Sequence, residues 1–115
     1  MKITTLKLNA TTPNQWSLNG ELTMVSLSAN WRQLDKTRPD GKNKPSSKDW
    51  QINFAEVKQM DSAGVAFLLD CIRYANAHKI KLLFLNLSDE VLELIEAQGM
   101  MSLIQPYLKD PHESK

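Results

Sequence analysis

The sequence predicts a single α/β domain built on a mixed β-sheet. Three observations carry this reading. The chain has 115 residues, the size of one compact domain with a core of its own. Its apolar residues switch repeatedly between a spacing of two and a spacing of three to four. The apolar run Leu82-Leu83-Phe84-Leu85 has the length of a buried strand.

The elements follow in order. Ile3, Leu6 and Leu8 alternate with polar residues and mark a first strand. A polar turn is expected over residues 9–14. Trp16 and Leu18 then alternate with Ser17 and Asn19 as a second strand ending at Gly20, so the two form a hairpin. A helix follows, with Leu22, Val25, Ala29 and Leu34 expected inward and Leu27 and Trp31 close to that stripe. Residues 35–48 hold two prolines, a glycine, two serines and five basic residues (Lys36, Arg38, Lys42, Lys44, Lys48) against Asp35 and Asp40. Composition this polar is read as an exposed basic loop. Trp50, Ile52 and Phe54 give a third strand, and a second helix begins in Asp61-Ser62-Ala63-Gly64. Its inward stripe is expected to be Val65, Leu68, Leu69, Ile72 and Ala75. A strand over residues 80–87 comes next. Ser88 caps a third helix whose inward residues are Val91, Leu92, Leu94 and Ile95 and which Gly99 stops. Leu103 and Ile104 are expected to form a last short strand. The domain is placed at residues 1–108 and a flexible tail at 109–115.

Composition limits the function. Hydrophobic residues make up 42% and charged residues 23%, an ordinary globular balance. Fourteen Lys and Arg stand against thirteen Asp and Glu, so no global field draws the chain to nucleic acid or to an anionic membrane. The alternating N-terminus lacks the apolar core of a signal peptide. No stretch reaches the roughly 20 apolar residues of a membrane helix. The expected location is therefore the cytoplasm. The four glycines are too dispersed for a phosphate-binding loop. Cys71, His78 and His112 make no metal-ligand set, and there is no nucleophile elbow. The acids Asp89, Glu90, Glu93 and Glu96 follow a helical surface and read as a solvated face. No catalytic residue, metal or cofactor is expected.

One segment stands apart: a strand, the tight acidic turn Asp61-Ser62, and a helix start lined with small residues. Asp61 or Ser62 can cap the helix. Ala63 and Gly64 keep its first turn bare, so another surface could come close to the backbone. A phosphate on Ser62 would meet a favourable helix end, opposed by Asp61. The face Ala63, Ala66, Phe67, Asp70, Arg73, Tyr74, Ala77 is expected outward, with Phe67 beside small alanines as a contact patch.

Met60, Asp61, Ser62, Gly64, Val65, Leu68 and Leu69 resemble the signature of the STAS domain, an apolar strand followed by Asp-Ser/Thr-x-Gly and a Leu-rich helix. Gly20-Glu21-Leu22, between the second strand and the first helix, is a second match, and the element order agrees over about residues 1–105. The resemblance implies a mixed sheet with helices packed mainly on one side. Within the family the chain is most similar to the small STAS subunit of Mla-type bacterial phospholipid ABC transporters, which shares Gly-Glu-Leu and a Trp in the first helix, here Trp31.

That similarity implies a non-enzymatic subunit, peripheral to the inner membrane through its complex, that docks on the transporter's ATPase subunit. The contact residues expected from the motifs are Gly20, Glu21, Leu22, Asp61, Ser62, Ala63, Gly64 and Phe67. The alternative the family offers is an anti-sigma factor antagonist with Ser62 as phosphoacceptor. Antagonists usually carry Asp after Gly-Glu-Leu, where this chain has Thr23. Ala63 stands where a second Ser or Gly is common.

Overall fold

A computed structural model describes residues 6–12, 15–37 and 49–108. Strands β1 (Leu6–Thr12), β2 (Gln15–Leu22), β3 (Asp49–Met60) and β4 (Lys81–Leu85) form one sheet in the order β1-β2-β3-β4. β1 and β2 pair antiparallel, while β3 pairs parallel with both β2 and β4. The parallel pairs require crossovers. Helices α1 (Met24–Thr37) and α2 (Ser62–Ala77) lie in them, and α3 (Asp89–Ala97) and α4 (Met101–Ile104) follow β4. This is the mixed α/β sheet the sequence predicts.

Alternation decides which face is covered. Trp16, Leu18 and Leu22 of β2, Trp50, Ile52 and Phe54 of β3, and Leu82 and Phe84 of β4 are buried, while the residues between them are more exposed. Successive strand side chains point to opposite faces, so these residues form one apolar face. They join one cluster with Leu34, Val65, Leu68, Cys71, Ala75, Val91, Ile95 and Ile104 from the helices. Edge-to-face ring contacts tie it together, Trp16 on Trp50 at 5.0 Å and Phe54 on Phe84 at 5.6 Å between centroids.

Several expectations are corrected. The hairpin has no long polar turn: residues 9–12 belong to β1, where Asn9, Ala10 and Thr12 pair with Ser17, Trp16 and Gln15. Gly20-Glu21-Leu22 is not a turn after β2 but its last three residues. The pairing with β3 slips between Ser17 and Asn19 and again between Gly20 and Glu21, so β3 bulges against β2. Gly20 takes φ +124° at the second slip, a conformation open to glycine and strained for other residues.

In α1, Val25 and Ala29 are exposed and Leu22 lies outside the helix, whereas Ser26, Leu27 and Leu34 face inward. The apolar pattern misplaced the face because a serine occupies a buried position. In α2 the inward face is turned toward Phe67 and Cys71, leaving Leu69 and Ile72 only partly covered. β4 ends at Leu85, and Asn86 adopts φ +62°, a left-handed conformation that Asn tolerates. Leu103 and Ile104 lie in α4, not in a strand; the bridge along β4 is made later, by Leu108 opposite Phe84. Ser88 caps α3 as expected, accepting the Val91 N–H. Of the basic stretch 35–48, residues 35–37 complete α1. Residues 38–48 and the tail 109–115 lie outside the described residues.

Candidate functional site

The motif residues meet at one end of the two central strands, where β2 and β3 finish and α1 and α2 begin. Asp61 organises this pole. Its Oδ1 accepts the N–H groups of Ala63 at 2.9 Å and Gly64 at 3.3 Å, which makes it the N-cap of α2. Its Oδ2 accepts the Met24 N–H, the first of α1, at 3.2 Å. One carboxylate thus satisfies backbone donors at two helix starts that are 37 residues apart in sequence. Both helix ends are partly positive, so the charge is favourable toward each. The Asp61 N–H donates to the Leu22 carbonyl at 3.2 Å, fastening the turn to the end of β2.

The start of α1 has its own cap. Thr23 Oγ1 accepts the Ser26 N–H at 3.4 Å, and Ser26 Oγ accepts the Thr23 N–H at 3.0 Å. This is a reciprocal capping box with serine in place of the usual Glu or Gln. Ser26 Oγ also donates to the Glu21 carbonyl, so the fully buried hydroxyl is satisfied. Thr23 therefore serves the helix itself. The Thr-x-x-Ser spacing was a signal in the sequence for this arrangement.

Gly64 is buried. A Cβ built there would stand 2.3 Å from Met60 Cγ and 2.6 Å from the Leu22 carbonyl oxygen. The surface that needs the missing side chain is thus the chain's own β2 and β3. The expectation that Gly64 opens the helix to an outside partner is corrected. The expectation for Phe67 is corrected too. It is 3% exposed and lies beneath Trp31, whose ring meets it edge-to-face at 6.3 Å. Leu22 is fully buried as well, and Ala63, Glu21 and Asp61 are half-buried.

Ser62 is exposed at the first position of α2, and its Oγ accepts a hydrogen bond from Gln98 Nε2. Met24 is 67% and Val25 66% exposed at the first turn of α1, the helix start that Asp61 joins to that of α2. Sequence reasoning missed Met24, Val25 and Gln98. The first two were hidden by the misplaced α1 face, and nothing local marks Gln98. Chemically the pole offers exposed apolar side chains and an exposed hydroxyl on two helix starts that Asp61 joins, three of whose backbone donors that carboxylate takes. Among the described residues there is no group of three or more His, Cys, Asp or Glu able to hold a metal, and no helix long and apolar enough to cross a membrane.

A search of curated proteins finds no match. Solved structures do match. The phosphorylated form of SpoIIAA, a Bacillus cell-fate determinant, shares 18% identity over 95% of both chains with a TM-score of 0.60. The unphosphorylated form of the anti-sigma factor antagonist SpoIIAA shares 19% identity over 95% of this chain and 91% of that one, with a TM-score of 0.63. At these identities the likeness establishes the fold. The family model described as "Mlab, STAS domain" matches residues 11–105. The sequence match and the shared fold agree: the chain belongs to the STAS domain family.

Proposed function

We propose that the chain is a non-enzymatic assembly subunit that binds the ATPase subunit of a phospholipid-transporting ABC complex and serves the maintenance of lipid asymmetry. It reaches the membrane only through that complex, from the cytoplasmic side. The observation that carries the docking part is the exposed pair Met24 and Val25 at the start of α1, joined through Asp61 to the start of α2 that carries the exposed Ser62. Two large apolar side chains left in water next to a helix end held rigid by Asp61 form a preorganised contact surface. The family model that matches the chain, Mlab, supports the transporter branch, as does Thr23 in place of the antagonist's Asp. In this reading Asp61, Gly64, Leu22 and Phe67 build the surface, while Ser62, Met24 and Val25 touch the partner. The subunit acts by complementarity and supplies no reacting group.

The test is capture of partners from native lysate by the tagged chain. Wild type retains an ABC ATPase, and Met24→Asp, Val25→Asp or Ser62→Asp loses it. Capture of no such ATPase, or capture indifferent to all three changes, defeats the reading.

A second reading has its own support: solved neighbours of this fold include an anti-sigma factor antagonist in phosphorylated form, and Ser62 is an exposed hydroxyl. In it, a phosphate on Ser62 repels the partner. Intact-mass measurement of the chain from cells, with the modified residue mapped, decides it: no phosphate on Ser62 under any growth condition removes this alternative.

A further inference from the structure

The Ser62 hydroxyl is exposed, yet it is held. Gln98 Nε2 donates to its Oγ from 36 residues away in sequence. Gln98 is the C-cap residue of α3, and its own N–H is bonded to the Leu94 carbonyl at 3.1 Å. Two residues later the Met100 N–H returns to the carbonyl of the fully buried Ile95 at 3.1 Å. The amide of Gln98 is therefore projected from a fixed backbone on a different element from Ser62. A serine hydroxyl has one proton to give and two lone pairs to receive. With an N–H filling a lone pair from the α3 side, Gln98 Nε2 offers the proton no acceptor, and the proton is directed away from that nitrogen.

We propose that Gln98 is a positioning residue that sets the polarity of Ser62. It makes this pole present a hydrogen-bond donor, and so selects a partner that places an acceptor, a backbone carbonyl or a carboxylate, opposite Ser62. This rests on the reading that Ser62 faces a partner, and it adds what that partner must offer. Three substitutions separate polarity from mere packing. Gln98→Glu keeps the size but offers only acceptors, so the Ser62 proton turns inward to Glu. Gln98→Leu removes the bond and leaves the hydroxyl to rotate. Ser62→Ala removes the donor, and Gln98 then has nothing to orient.

The experiment has two arms. In the isolated ¹⁵N-labelled chain, the two Gln98 side-chain amide protons are expected to be well separated in chemical shift. Ser62→Ala moves them to solvent-like values, and Ser62→Thr preserves the separation. An amide pair unmoved by Ser62→Ala overturns the proposal without any partner present. In the second arm, affinity is measured for the ABC ATPase captured by wild type. Gln98→Glu is expected to weaken binding roughly 5–10-fold, the worth of one hydrogen bond of about average strength. Gln98→Leu weakens it less, and neither has an effect once Ser62 is Ala. Equal binding by the Gln98→Glu variant and wild type overturns the polarity argument, while loss of binding by Met24→Asp in the same assay leaves the docking surface standing. Binding indifferent to both Met24→Asp and Ser62→Asp removes the docking surface, and the selection by Gln98 with it.

Discussion

Replacing Gly64 with alanine reverses the usual effect of that change on a helix. In an open helix, Gly→Ala gains about 1 kcal/mol. Here the added Cβ would stand 2.6 Å from the Leu22 carbonyl oxygen, well inside the 3.4 Å at which ordinary contact begins, and 2.3 Å from Met60 Cγ. Met60 is half-buried and has a flexible side chain that can swing aside. The carbonyl cannot, because it belongs to β2 and accepts the Asp61 N–H at 3.2 Å. Overpacking of this kind costs about 1–3 kcal/mol, and stretching the Asp61 bond adds up to about 1 kcal/mol. After the helix gain is subtracted, the net loss is about 2 kcal/mol, or roughly 8–10 °C in Tm for a domain of this size. Urea and thermal denaturation followed by circular dichroism measure it. In a Met60→Ala background most of the loss should persist, since the carbonyl remains. A Gly64→Ala protein as stable as wild type, or more so, refutes the close-approach argument. Full recovery with Met60→Ala shows that the side chain, not the strand, is the obstacle.

Four further outcomes are expected. Asp61→Ala removes the α2 cap and the α1 tether together and should cost about 1–3 kcal/mol in chemical denaturation; Asp61→Asn, which keeps an acceptor oxygen, should cost less. Ser26→Ala strips the partner from the Glu21 carbonyl and the Thr23 N–H, for a loss of about 1–3 kcal/mol read in the same assay. Phe67→Ala opens the core beneath Trp31 and should lose about 3–5 kcal/mol, against a smaller loss for the half-exposed Trp31→Ala. Met24→Asp should stay within about 0.5 kcal/mol of wild type in stability while losing the partner in capture, so that a binding defect cannot be ascribed to unfolding.

What could be read along the chain was local. The strand alternation around Trp50, Ile52 and Phe54, the Ser88 cap and the Asp61-Ser62 helix start all depend on residues within four positions of one another. Such patterns survive in a single sequence because the physics that makes them is short-ranged. The family signature was legible for the same reason: its Asp, Gly and apolar helix positions lie in one turn and the helix that follows.

The sequence alone determined the element order from β1 through α3, the family and the location of the distinctive turn. Tertiary structure decided what those residues are for. Apolar spacing cannot tell which side of α1 meets the sheet when the buried position is Ser26, whose hydroxyl is satisfied by Thr23 and Glu21. Nor can it tell that Phe67 turns under Trp31 rather than toward solvent. Gly64 looked like an opening for a partner until β2 was seen to fill it. The contacts that define the pole, Asp61 to Met24 and Gln98 to Ser62, join residues 37 and 36 positions apart. They form only after the helices have packed on the sheet, because packing sets the distance and direction that a hydrogen bond requires.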